Sequence, residues 1–204
     1  MRGEERQHRT LVEIANKQRR VPIDVRIYQR LLSALLVVTR RTSSVVGLTF
    51  ISDRQMRQLN RRFRGIDRTT DVLAFPVPAC LLPWQAHVRG RSDSSLLDNP
   101  HRDTVPLVHT PKHAPVHTLG DIVISIDTAR RQAREAGAAL QDECGRLLIH
   151  GYLHLLGYDH ERSRPEAVRM RRLERRLERR LKESPKNRLK SRPKNLVPGA
   201  PTPA

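Results

Sequence analysis

His150-Gly151-Tyr152-Leu153-His154-Leu155-Leu156-Gly157-Tyr158-Asp159-His160 is the stretch on which the reading of this chain turns. Its first half continues a helical pattern that starts at Asp142 and carries Leu147, Leu148, Leu153 and Leu155. Gly157 is a natural breaker at the helix C-terminus. His150 and His154, four positions apart on a helix, project from one face about one turn apart, so both imidazoles reach a single ion. Beyond the glycine the chain turns back through Tyr158 and Asp159 and brings His160 to a third corner. Three neutral imidazoles leave the fourth position of a tetrahedral zinc site open, the arrangement of a catalytic rather than a structural site. Such a site activates water near neutral pH. The alternative is that these are scattered surface or core histidines. With nine histidines in the chain, this spacing together with the glycine arises by chance in fewer than about one in a thousand such sequences. The spacing therefore favours one bound metal ion, zinc first.

The pattern His-x-x-x-His-x-x-Gly-x-x-His is also that of metzincin proteases, which place glutamate directly after the first histidine as general base. Here that position is Gly151. A protease without this carboxylate lacks its proton acceptor, so peptide hydrolysis is disfavoured. Asp159 and Glu161 lie close by and read as solvent-exposed groups or as partners that support the ligands from outside.

Working outward, Thr10 to Ala15 alternates crudely as a first strand. After Val21-Pro22-Ile23-Asp24, the residues Ile27, Leu31, Leu32, Leu35 and Leu36 share one helical face. Ser43 to Ser52 is rich in β-branched residues and reads as a strand. Ser52 or Asp53 caps the next helix, whose periodic apolar residues are Met56, Leu59 and Phe63. Arg64-Gly65-Ile66-Asp67 is a turn, and Thr70 to Pro76 a short strand stopped by proline. From about Val77 to His117 the pattern is lost among prolines 78, 83, 100, 106, 111 and 115, which marks an insertion or a mobile loop. His87, His101, His109, His113 and His117 fall in it. Pro111 and Pro115 break the helical spacing of the last three, so a solvated loop is favoured over a second metal site. Leu119 to Ser125 is a strand and Asp127 to Ala138 a helix. Pro165 to about Lys182 makes a last helix with Val168, Leu173, Leu177 and Leu181 along one stripe.

Strands and helices thus interleave without doubly wound regularity. The expected fold is α+β, a small mixed β-sheet with packed helices and a zincin-like metal-site helix. The expected organisation is an N-terminal extension over 1–9, a single metal-dependent hydrolase domain over 10–182, and a basic disordered tail over 183–204.

The formal charge of +18 recruits polyanions, nucleic acid or an anionic surface, without naming one. Between Arg162 and Lys194 fifteen Lys or Arg face four Glu, a net of +11, so most of the excess sits there. Leucines on one side and Glu–Arg pairs at i,i+4 make a solvated helix the bland reading of that run. A grip on RNA phosphates is about as well supported. Aromatics make up only 3%, which argues against base stacking in the manner of single-strand binders. Cys80 and Cys144 do not form a disulfide framework and suit a reducing compartment. No signal peptide opens the chain, and the apolar run Leu31 to Val38 is too short to span a bilayer. The expectation is a soluble, cytoplasmic protein.

Three segments together resemble the YbeY family of zinc-dependent endoribonucleases. They are the histidine stretch, the run Leu59-Asn60, Phe63-Arg64-Gly65, Asp67 and Thr70-Asp71-Val72-Leu73-Ala74-Phe75-Pro76, and Leu119-Gly120-Asp121-Ile122-Val123-Ile124-Ser125. The resemblance spans about Thr10 to Lys182. It implies one Zn2+ ligated by His150, His154 and His160, and makes Arg64 a functional residue facing the metal. It also implies single-strand-type endoribonuclease action on ribosomal RNA, in maturation of the small-subunit 3′ end and in ribosome quality control. The implied partners are ribosomal RNA, the small ribosomal subunit, and ribosomal proteins or a ribosome-assembly GTPase, with no membrane. Two departures stand out: Ala74 replaces the family's usual serine, and both the 77–117 stretch and the basic tail exceed the family norm. Taken without the resemblance, Arg64 is a surface turn residue, although its planar fork suits phosphate oxygens better than lysine would. No general acid is evident. A zinc peptidase and a non-catalytic, zinc-stabilised ribosome assembly factor are the competing functions.

Overall fold

The structure is a computed structural model that describes residues 12–77 and 117–183. Their elements run β1 (Val12–Asn16), α1 (Val25–Val38), β2 (Ser44–Ile51), α2 (Asp53–Arg64), β3 (Val72–Pro76), β4 (His117–Ser125), α3 (Ile126–Glu135), α4 (Leu140–Leu155) and α5 (Arg164–Glu183). The four strands form one sheet in the order β1-β2-β4-β3. β1, β2 and β4 are mutually parallel, and β3 runs antiparallel to β4 at the edge. This is the expected α+β architecture with a mixed sheet.

Alternation in the strands divides the side chains between two faces. Val46, Leu48 and Phe50 of β2 and Ile122 and Ile124 of β4 point toward α1, α4 and α5, where they meet Leu32, Leu35, Leu148 and Tyr152 in one buried cluster. Ile51, Leu73 and Val123 point the other way, onto Met56 of α2. α2 begins with a reciprocal capping box. The Gln55 backbone amide donates to Ser52 Oγ, and the Ser52 amide donates to Gln55 Oε1 at 3.1 Å. Ser52 is therefore the cap, which leaves the Asp53 carboxylate for longer-range work. It accepts hydrogen bonds from Ser125 Oγ (2.5 Å), Thr128 Oγ1 (2.6 Å) and Arg131 Nη1 (2.7 Å). Burial opposes ionisation of this carboxyl, but the three donors outweigh it and hold the group down at about 2.

Four local expectations need correction. His117 is in β4 and not in the loop, because its amide donates to Ser43 O at 3.2 Å and the register carries it opposite Ser44, with an irregularity at Val45/Val46. α3 stops at Glu135 rather than Ala138, and the chain leaves through Gly137 at positive φ. Along α5 the buried residues are Met170, Leu177 and Leu181, whereas Val168 is 37% exposed, off the packed stripe. Phe63 is 56% exposed and touches Phe75 edge-on at 5.0 Å instead of entering the core. Cys80 and His87, His101, His109 and His113 lie outside the described residues. Cys144 is a buried free thiol, and its burial pushes its pKa up to about 11. No described helix is long and apolar enough to cross a membrane.

Candidate metal centre

α4 carries the first two histidines, and its position is set by how closely it lies on the sheet. A Cβ built on Gly151 would come within 2.9 Å of Ile122 Cγ2 and 3.2 Å of Val72 Cγ2. Position 151 thus needs glycine for the approach of helix to strand, apart from any question of catalysis. A glutamate there, as in the proteases, would require Ile122, Val72 or α4 itself to shift. The opposite anchor is Tyr152, fully buried, whose hydroxyl shares a 2.6 Å hydrogen bond with Thr39 Oγ1. With α4 pinned this way, His150 and His154 face a cleft.

The helix ends as the spacing predicts. Gly157 takes φ +92°, a region glycine enters without the steric cost other residues meet. Its amide donates to His154 O at 2.9 Å, and Tyr158 N donates to Leu153 O at 3.1 Å. Asp159 Oδ1 then accepts from Glu161 N at 2.9 Å, closing the turn that presents His160. The ligand nitrogens of His150, His154 and His160 all lie within 4.8 Å of one another, and the cluster could hold a metal ion. The Nε2 atoms of His150 and His154 are 3.2 Å apart.

Two further features suit these rings to a metal. His150 Nδ1 lies 2.6 Å from Glu174 Oε1 of α5, both side chains being 21% exposed. An ionised carboxylate only accepts, so Nδ1 carries the proton and the Nε2 lone pair is turned into the cluster. Burial also opposes ionisation of Glu174, yet the hydrogen bond from His150 keeps its pKa below the usual range. At His154, burial first and the adjacent His150 and His160 second push the imidazole pKa down, which keeps the ring neutral and able to coordinate. A set of three nitrogen donors with one ring oriented by a carboxylate fits a borderline-soft divalent ion such as zinc.

Arg64, the last residue of α2, lines the same cleft of ≈570 Å³ as the three histidines. Its Nη2 donates to both oxygens of Glu161, at 3.2 and 3.1 Å, with the side chains 43% and 60% exposed. Arg64 and Glu161, distant in sequence, thus meet across the cleft mouth. Arg146 and Arg162 also line the cleft; the first is paired with Glu143 and the second with Asp159.

Glu174, hidden among the arginines of α5, is absent from the residues that the sequence singles out. A signal was present: 174 lies four after Met170, three before Leu177 and seven before Leu181, so it sits on the buried stripe where a lone charge needs a partner.

The family profile described as Endoribonuclease YbeY matches residues 13–182, a span that takes in Arg64, Glu174 and all three histidines. The chain belongs to the YbeY family. Its similarity to individual YbeY proteins is broad. A Leptospira interrogans protein named Endoribonuclease YbeY is 42% identical over 121 residues, 59% of this chain and 75% of that one. A Geobacter sulfurreducens protein of the same name is 35% identical over 167 residues, 81% and 92% of the two chains. With a Myxococcus xanthus YbeY the identity is 42% over 71% of this chain, but the alignment spans only 39% of that longer protein. A solution structure from Thermotoga maritima overlaps more loosely, at 20% identity and a TM-score of 0.46 over 90% of this chain and 99% of the other.

Proposed function

We propose that this chain is a zinc-dependent endoribonuclease acting on ribosomal RNA, in maturation of the small-subunit 3′ end and in ribosome quality control. The observation that carries the reading is the convergence of His150, His154 and His160 in a cleft whose other charged lining includes Arg64. The name shared by the relatives supports RNA as the substrate. His150, His154 and His160 hold one zinc ion, which when bound supplies Lewis-acid stabilisation of phosphoryl oxygens and activation of water near neutral pH. Glu174 keeps the His150 ring in its ligating tautomer.

Arg64 is the catalytic side chain of this scheme. Its exposed pairing with Glu161 is worth no more than about 1 kcal/mol, so a phosphate displaces the carboxylate at little cost. The guanidinium then donates two parallel hydrogen bonds to phosphoryl oxygens. Gly151 speaks against the peptidase, since it provides no base and leaves no room for one. The working unit is the domain over 10–182, with 1–9 and the basic tail 183–204 as extensions. The chain acts in the cytoplasm with the small subunit, in company with ribosomal proteins or an assembly GTPase.

The test is zinc quantification and ribosomal RNA cleavage by the purified full chain beside His154→Ala and Arg64→Glu. His154→Ala should lose both zinc and cleavage. Arg64→Glu should keep zinc and lose cleavage by at least about 100-fold, the scale of removing one donor to developing charge. Cleavage that survives loss of zinc in His154→Ala would belong to a contaminant and return the chain to a non-catalytic assembly role. Casein cleavage by the wild type would reinstate the peptidase.

A further inference from the structure

α5 has two unlike faces. The inward one places Met170, Leu177 and Leu181 in the main core and sends Glu174 to His150. The outward one carries Arg171, Arg172, Arg175 and Arg179, all exposed. On an α-helix these four fall within about 100° of arc, and Arg171, Arg175 and Arg179 follow one another at rises of about 6 Å. Among the described residues none of the four has an ion-pair partner. Two acidic residues adjoin the row: Glu174 is turned away to the metal centre, and Glu178 makes no ion pair with any of the four arginines. On α2 the comparable row Arg54, Arg57 and Arg61 is interrupted at its middle, where Arg57 is clamped by Asp67 at 2.8 and 2.9 Å.

We infer that the Arg171–Arg172–Arg175–Arg179 face of α5 is a docking surface for an RNA sugar–phosphate backbone, outside the cleft and read without regard to sequence. This rests on the endoribonuclease reading, and it names where the substrate is held beyond the scissile site. Charge complementarity supplies the attraction, since each neutralised phosphate releases condensed counterions. An anionic membrane would be attracted by the same charge. A helix lying on a bilayer must insert its apolar face, however, and here Met170, Leu177 and Leu181 are 1%, 1% and 5% exposed within the fold. The stripe offers no aromatic side chain, so it tracks backbone and not bases. Because Glu174 reaches the centre from another side of the same helix, the docked strand runs at least about one helix diameter, roughly 10 Å, from the metal centre.

The test uses the full chain with Arg171→Gln, Arg175→Gln and Arg179→Gln combined, beside the same three changed to Lys. Glutamine keeps the helix propensity while removing charge. Binding of fluorescent single-stranded oligouridylate is followed across a salt series. The Gln triple should bind on the order of 10- to 100-fold more weakly at physiological salt, and the slope of log K against log salt should fall by about 2. The Lys triple should keep most of the affinity. For ribosomal RNA cleavage, KM should rise in the Gln triple with kcat, zinc content and Tm unchanged, and a dinucleotide should be cut at the wild-type rate. Unchanged affinity and unchanged salt slope overturn the inference. So does a loss of binding confined to phosphatidylglycerol vesicles, which would make the stripe a membrane interface. If the wild type cleaves no RNA but oligouridylate binding still drops in the Gln triple, the nuclease reading fails while the docking surface stands.

Discussion

The two faces of the sheet are closed by different chemistry. Under α1, α4 and α5 a single apolar cluster extends from Val12 through Leu148 and Tyr152 to Leu181. Under α2, among the described residues, the buried cluster is Ile51, Met56, Leu73 and Val123, and the junction with β4 and α3 is made by the Asp53 carboxylate and its donors. The difference follows the parts of the site. His150, His154 and Glu174 ride on helices anchored by dense apolar packing, which resists displacement. Arg64 ends a helix held by a small cluster and polar bonds, and its guanidinium meets only an exposed carboxylate. The division suits the proposed function, in which metal ligands need fixed positions and an arginine that receives phosphate changes partners.

The comparison breaks most visibly by hollowing the larger cluster. Leu148, fully buried between the sheet and the helices, should cost about 3–5 kcal/mol when changed to Ala, as lost transfer energy and an unfilled cavity combine. Urea unfolding measures it, and zinc affinity should fall too, since Leu148 belongs to the histidine helix itself. Met56→Ala on the other face should cost about 2 kcal/mol and leave zinc affinity alone. Equal effects of the two on zinc affinity would erase the proposed division.

A smaller effect sharpens it from the site side. Glu174→Ala should weaken zinc binding by roughly 10- to 100-fold in competition with a chelator. Glu174→Gln, whose amide oxygen still accepts from Nδ1, should recover part of that loss. If neither variant moves the affinity, Glu174 serves packing alone.

The third prediction concerns pH on the polar face. The Asp53 carboxyl lies at about 2, below its unfolded value of about 3.9. Because the folded value is depressed, its contribution is complete above about pH 4 and is lost as pH falls toward 2. Asp53→Asn should cost about 1.5 kcal/mol at neutral pH and show a shallower stability loss than wild type over that acid window. Urea midpoints taken with chelator present read this without interference from the metal. Identical acid slopes would show that Asp53 is not the titrating group.

Much of this was legible before the fold. The order of strands and helices followed from local periodicity, because burial on one face imposes period 2 or 3.6 whatever lies opposite. The histidine triad was legible because its three members lie within eleven residues, where helix geometry alone converges them. Phe63 completes the apolar spacing of α2, yet its ring meets Phe75 edge-on at the outermost strand, β3, and stays 56% exposed. The prolines before His117 hide its strand from any local pattern, because its pairing depends on Ser43 and Ser44, far away in sequence.

The sequence by itself determined the three imidazoles, the absence of a protease base at Gly151, and the concentration of positive charge after Arg162. Each of these needs only residue type and spacing. Tertiary structure alone decided that Gly151 is also a contact point for Ile122 and Val72, that Glu174 leaves its arginine neighbours for His150, and that Arg64 meets Glu161 across the cleft. These are pairings between elements, and the packing of helices on a sheet, which no local pattern encodes, brings their members within reach.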